Sequence, residues 1–204
     1  MIPDTLPTSH DAVLPHYTYL HEHSEYGRMP GDYDRARHIA EFLLSRVRPG
    51  ADVLDCSAGR GLLVRTLAEH GLAVTATEAD PYLVAHDLAP YDARCLRYDA
   101  LDTLAPRQWD AVVSADVLEH LLTEAEVRAA LRALAARSRR WLCVSVGVSR
   151  GSLWPVGGER TTRLHYVVRR GNWWSAEVAR VARIVEEFGE TGSWFMFAEV
   201  ERGV

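Results

Sequence analysis

Asp55, Glu78, Asp99 and Asp116 each stand at the end of a segment that reads as a strand, and turn-forming residues follow. A carboxylate at the end of a buried segment is costly unless a positive or hydrogen-bonding partner meets it. Asp55 ends "VLD" and leads into Gly59-Arg60-Gly61. Glycine lets the backbone turn sharply and lets a ligand approach without a Cβ in the way. The helix expected next offers unpaired amides at its start. Glu78 ends "AVTATE" and can accept hydrogen bonds from both hydroxyls of a ribose. Asp99, with Ala100 behind it, can accept an exocyclic purine amine. "SADVLEHL" brings Asp116, Glu119 and His120 together. Each acid alone has a plainer reading, as a turn or helix cap. As a set they describe a pocket for a nucleoside with a cationic appendage.

The elements that must position these residues can be read from periodicity. "DYDRARHIAEFLLSRV" places Ala36, Ile39, Ala40, Leu43, Leu44 and Val47 on one helical face. Asp32 can cap its start and Pro49-Gly50 stop it. "DVLD", "AVTATE", "RCLRYD", "WDAVVSAD" and "WLCVSVGV" read as strands. "RGLLVRTLAEH", "PYLVAHDLA", "TEAEVRAALRALAARS" and "WWSAEVARVA" read as helices between and after them. Thr123 and Glu126 have capping-box spacing, and Gly71 closes the first of these helices. "RIVEEF" and "WFMFAEV" form a terminal hairpin. Alternating strands and helices with fully apolar central strands predict an α/β fold: a three-layer, Rossmann-like sandwich around a mostly parallel seven-stranded sheet, with an antiparallel C-terminal hairpin strand. Residues 1–31 show no clear period and are expected to be an irregular arm or lid, with one domain over 32–204.

The chain has 204 residues, nearly half of them apolar, which suits one core. The net charge is −5, whereas a protein that lives on phosphate backbones usually carries a basic excess, so nucleic acid is not the expected partner. All basic residues other than His are Arg, which fits a GC-rich bacterial genome. Three scattered Cys fit a reducing cytoplasm better than a disulfide frame. No signal peptide or membrane-spanning run is expected.

"VLDCSAGRG", "TATEADP", "YDALD" and "WDAVVSADVLEHL", in that order, resemble the Rossmann-like (class I) S-adenosylmethionine (SAM)-dependent methyltransferase family. The resemblance implies that Asp55, Ser57 and the Gly59 and Gly61 backbone face the methionine part of SAM. It implies that Glu78 holds the ribose, that Asp99 and the Ala100 amide hold the adenine, and that the main chain near Ala115 reaches the methionine amino group. One departure stands out: the first glycine of the family's D-x-G-x-G-x-G loop is Ser57. Serine fits there only with an ordinary φ and a Cβ turned from the cofactor; otherwise cofactor binding is weakened. A nicotinamide enzyme is a rival on the Gly-rich turn, but it wants G-x-G-x-x-G or a final Ala. The sixth position is Val64, and Asp55 would repel a pyrophosphate.

Methyl transfer to a hydroxyl asks for a base titrating near neutrality, usually His. His120 is the first candidate, with bracing of its own loop as the plainer role. His165 is the second, beyond the Gly-rich loop that contains Trp154. Tyr17, Tyr19, Tyr26 and Arg28 in the arm, with Trp154 and Trp173, are candidates to line a lid or acceptor site. His21, His23 and Glu25 could suggest a metal, but alternate residues share a face only on a strand, so no metal is expected. No N/D-P-P motif of the amine-modifying type follows the fourth strand. The expected function is SAM-dependent methylation of a small molecule at O or N, in bacterial specialised metabolism, by a cytoplasmic monomer or homodimer. The alternative is a SAM- or nucleoside-binding relative without transferase activity.

Overall fold

The computed structural model describes residues 9, 14–24, 26–97, 107–149, 154–155, 161–162, 164–190 and 192–201. Seven strands form one sheet. β1 (Asp52–Cys56), β2 (Ala73–Glu78), β3 (Asp92–Cys95), β4 (Trp109–Ala115) and β5 (Ser138–Gly147) are parallel. A short pair, β6 (Trp154–Pro155) and β7 (Thr161–Thr162), stands apart from it. β8 (Arg183–Glu190) and β9 (Ser193–Glu199) form the terminal hairpin, and β9 runs antiparallel to β5. The sheet order is β3-β2-β1-β4-β5-β9-β8. The helices are α1 (Leu14–His23), α2 (Pro30–Leu44), α3 (Leu62–Glu69), α4 (Pro81–Ala85), α5 (Glu124–Arg137) and α6 (Gly171–Val178).

The period of two along each strand builds the three layers. Leu142 and Val144 of β5, with Met196 and Ala198 of β9, meet Leu131 and Leu134 of α5 and Trp174 and Val178 of α6. Their neighbours Trp141 and Cys143, with Phe195 and Phe197, meet Ile39, Phe42 and Leu43 of α2. Phe42 stacks on Phe197 with ring centroids 4.1 Å apart. Burying each large apolar side chain stabilises the fold by about 1.5–3 kcal/mol, so both apolar faces act as cores. Among the described residues no helix is long and apolar enough to cross a membrane.

Local signals set most boundaries. Asp80 accepts the Tyr82 amide at 3.0 Å, with Pro81 opening α4. Thr123 accepts the Glu126 amide at 3.2 Å and opens α5. Three expectations need correction. α2 starts at Pro30, and Asp32 caps it from inside the first turn by accepting the Met29 amide at 2.7 Å. The third strand covers Asp92–Cys95 and ends before the expected run does. The arm is not irregular throughout, because α1 is a helix of 10 residues.

The order of strands reverses between β1 and β4. In such sheets the crevice beyond the carboxyl ends at the reversal is where ligands bind. Asp55, Glu78, Ala115 and Asp116 all lie at that edge.

Candidate functional site

A cavity of about 540 Å³ opens over this edge and is lined by Asp55, Ser57, Glu78, Ala115, Asp116 and His120 among others. Its floor is the turn after β1. Ser57, Gly59 and Gly61 have φ of 61, 55 and 71°. Ser57 therefore takes the left-handed conformation, against the expectation of an ordinary φ, at a cost of about 1–2 kcal/mol. The turn is tied to β2: the Ala58 amide donates to the Thr77 carbonyl at 2.9 Å, and the Gly59 amide donates to Glu78 Oε2 at 2.8 Å. At Gly61 a Cβ would stand 2.6 Å from Leu88 Cδ2, so both space and φ require glycine.

Glu78 is buried, and its second oxygen accepts the Asp80 amide at 3.0 Å. Asp55 is buried beside it. Burial, and then the nearby Glu78 carboxylate, push the Asp55 carboxyl up to about 7. Burial also raises Glu78, against its two amide hydrogen bonds. Two carboxylates so placed favour an incoming cation. Asp99 and Ala100 lie outside the described residues.

α1 roofs the cavity, and its anchor is Arg60. That buried guanidinium donates to the carbonyls of His21 (2.5 Å) and Tyr26 (2.7 Å) and pairs with Asp87 at 2.9 Å. His21 meets Asp80 at 2.7 Å, and Thr18 donates to the same carboxylate at 3.1 Å. Burial alone would raise Asp80; hydrogen bonds from His21, the Tyr82 amide and Thr18 outweigh it and hold its carboxyl below the usual range. His21 is thus an anchor, while His23, two positions along a helix, is exposed on another side. Tyr26 lines the cavity. Tyr19 turns to His23, with ring centroids 4.6 Å apart, and Arg28 is exposed near Asp87; neither lines the cavity. Trp173 also stays out of it and packs against the α5–α6 core. Trp154 falls in β6, and its side chain is outside the described residues.

The far wall follows β4. Asp116, with φ of 53°, accepts from Ser145 at 3.1 Å and is ion-paired with Arg35. A single 3-10 turn over Leu118–His120 comes next. His120 Nδ1 lies 2.8 Å from the Leu164 carbonyl and 2.7 Å from the Tyr17 hydroxyl. Burial, and then the adjacent His165, lower the His120 imidazole to about 3, despite opposing backbone hydrogen bonds. The ring is neutral at pH 7 and weakly basic, so it is a poor general base and a good brace. His165 stands edge-on to it, centroids 4.9 Å apart, with Nδ1 held 2.7 Å from the Ser149 carbonyl. Glu119 is fully buried; its Oε1 accepts the Gly147 amide at 2.6 Å, and burial holds its carboxyl well above the usual range.

Tyr17 lines the cavity, as expected of the arm, whereas Arg60 was not among the sequence candidates. Arg60 occupies the variable place inside Gly-x-Gly, where no side chain is specified, and its partners are far away in sequence.

Residues 54–140 match a family model described as a methyltransferase domain. Three solved structures are similar in fold. One is magnesium protoporphyrin IX methyltransferase (ChlM) from Synechocystis PCC 6803 with bound SAM, at 16% identity and a TM-score of 0.66, covering 84% of this chain and 80% of that one. A second is DhpI in complex with S-adenosylhomocysteine (SAH), at 20% identity and 0.71, covering 95% and 98%. The third is 1,6-didemethyltoxoflavin-N1-methyltransferase from Burkholderia thailandensis with 1,6-didemethyltoxoflavin and SAH, at 18% and 0.67, covering 98% and 94%. No curated protein matches the sequence.

Proposed function

We propose that the chain is a Rossmann-like (class I) SAM-dependent methyltransferase, a reading supported by the methyltransferase-domain model over residues 54–140 and by the shared fold, and that it binds SAM across the β1–β4 crevice and methylates a small molecule held beneath α1. One observation carries this reading: two buried carboxylates, Asp55 and Glu78, converge on the glycine turn at the reversal of the sheet. When bound, SAM supplies a methyl group made electrophilic by a cationic sulfur.

The chain's own residues then do the following. Glu78, fixed by two amides, accepts from the ribose hydroxyls with its remaining lone pairs. Asp55 and the 57–61 turn hold the methionine end, and the main chain at Ala115 takes the amino group. Asp99 and Ala100 take the adenine. Tyr17 and Tyr26 close the roof and exclude water around the acceptor. Much of the barrier to a direct displacement is removed by such positioning alone. A cavity of about 540 Å³ suits a small acceptor. The chemical class of the relatives, the cavity size and the acidic net charge support bacterial small-molecule metabolism over nucleic acid as the setting.

The test is calorimetric titration of the purified protein with SAM, SAH and NAD. SAM and SAH should bind and NAD should not. Glu78→Ala should weaken SAM about ten- to a hundredfold, the loss expected for hydrogen bonds to a charged group, with unchanged circular dichroism. Unaltered affinity, or preference for NAD, would sink the assignment. Transfer of a labelled methyl group to a panel of hydroxyl and amine acceptors then separates an enzyme from a non-catalytic SAM binder.

A further inference from the structure

The geometry points to a divalent-cation site made by Glu119, His120 and His165, taking a first-row ion such as Mn²⁺, Co²⁺ or Zn²⁺ and, through it, an acceptor with two neighbouring oxygens. One ligand atom from each residue lies within 4.8 Å of the others. Bonds of about 2.0–2.2 Å to a shared ion would need these atoms to draw in by roughly an ångström, a matter of side-chain rotation.

Each of the three has one polar atom already held. His120 Nδ1 is fixed on the Leu164 carbonyl and His165 Nδ1 on the Ser149 carbonyl. A proton on Nδ1, donated to a main-chain carbonyl, leaves the Nε2 lone pair for a metal; this is the usual support of a metal-bound imidazole. Glu119 is arranged likewise: Oε1 accepts the Gly147 amide, whereas Oε2 is buried with no hydrogen-bond partner. An unpartnered carboxylate oxygen at zero exposure is costly unless something binds it.

The backbone also brings the three together. The Glu119 carbonyl accepts the amides of Tyr166 and Val167, at 2.8 and 3.0 Å, which sets His165 opposite the 3-10 turn. Gly147 leaves the room: a Cβ there would stand 2.5 Å from His165 Cε1 and 3.0 Å from Glu119 Oε1. Asp116, the nearest further acid, is satisfied by Arg35 and Ser145 and is not needed as a ligand. The three are not His21, His23 and Glu25, the only residues whose spacing could suggest a metal in the sequence, so the expectation of no metal is revised.

Two imidazoles and one carboxylate form a borderline donor set that leaves coordination positions open. A chelating hydroxyl bound there loses its proton to solvent more readily and becomes the nucleophile. The ion site stands on geometry alone; its link to an oxygen acceptor rests on the methyl-transfer reading.

The experiment is Mn²⁺ titration of the full chain after treatment with EDTA, read by electron paramagnetic resonance. One bound ion per chain is expected. Glu119→Gln, which keeps the shape and the Gly147 contact, and His165→Ala, at a half-buried position, should each weaken Mn²⁺ about tenfold or more, with unchanged circular dichroism and SAM affinity. Catechol should alter the bound-Mn²⁺ spectrum and phenol should not. Equal Mn²⁺ binding by wild type and both variants overturns the site, and equal responses to catechol and phenol overturn the acceptor class. SAM binding without an ion at these residues would defeat this inference alone. An ion bound without any SAM affinity would defeat the proposed function alone.

Discussion

Ser57 occupies a backbone conformation that suits glycine, and its φ of 61° makes the cost concrete. Ser57→Gly should raise stability by about 1 kcal/mol, with the midpoint of urea unfolding moving up and the slope unchanged. SAM affinity should hold or improve, because the turn is already in the required shape. Asp55 gives a second prediction, on pH. Its carboxyl titrates at about 7 in the ligand-free fold, against 3.8 ordinarily. Below about pH 4 it is protonated in both the folded and the unfolded chain. As pH rises the unfolded chain sheds this proton first, so this contribution to stability falls between about pH 4 and 7 and is flat above. Asp55→Asn should make the overall decline shallower by the Asp55 share, measured by denaturation without ligand; Glu78 and Glu119, also raised, contribute to the rest. A cationic ligand reverses the preference, so SAM affinity should increase as pH rises toward 7 and then level off. Proton release, seen by calorimetry in buffers of different ionisation enthalpy, should accompany binding below pH 7. The same profile in wild type and Asp55→Asn would refute the assignment.

At the scale of elements, the legible parts are those whose signals are local. β2 covers the whole of "AVTATE", because its apolar residues are bounded by a glycine before and an acid-proline turn after. α5 was fixed by Thr123 and Glu126. The ends of β1, β2 and β4 could be found because a carboxylate at or within one residue of a buried strand's end, as Asp55, Glu78 and Asp116 are, is unusual. α1 could not be found in this way. Its inward face carries Tyr17 and His21 as well as Leu20, and their partners are His120 and Asp80. A helix whose buried face is polar and aromatic shows no apolar period, and its partners are known only after the chain has folded. Trp173 erred in the opposite sense. An aromatic pair at a helix start looks like a pocket wall, yet Trp174 is fully buried and Trp173 leans on the same core. The Glu119–His120–His165 cluster needed tertiary contact too, since only the first two are neighbours in sequence.

For the whole molecule, the roof and the floor of the cavity form one unit. α1 touches the turns after three different strands: through Arg60 after β1, through Asp80 after β2, and through His120 after β4. Its attachments are polar and placed at the ligand edge, while the two apolar cores lie along the sheet. The helix should therefore open at a lower free energy than the strands, as lids must. Arg60→Gln removes the charged donor that holds the His21 and Tyr26 carbonyls and leaves Asp87 only the longer contact with exposed Arg28, at 3.9 Å. Amide exchange, followed by mass spectrometry, should then speed up across 14–24 and leave β8 and β9 unchanged. In the wild type, SAM should slow exchange over 14–24 and 57–61 together, because a ligand gripped by the floor also fills the space beneath the roof. In Arg60→Gln that joint protection should shrink, with the 57–61 turn still protected by the ligand. If SAM protects the turn in the wild type and α1 exchanges as before, the helix is packing on the fold and not closing over the site.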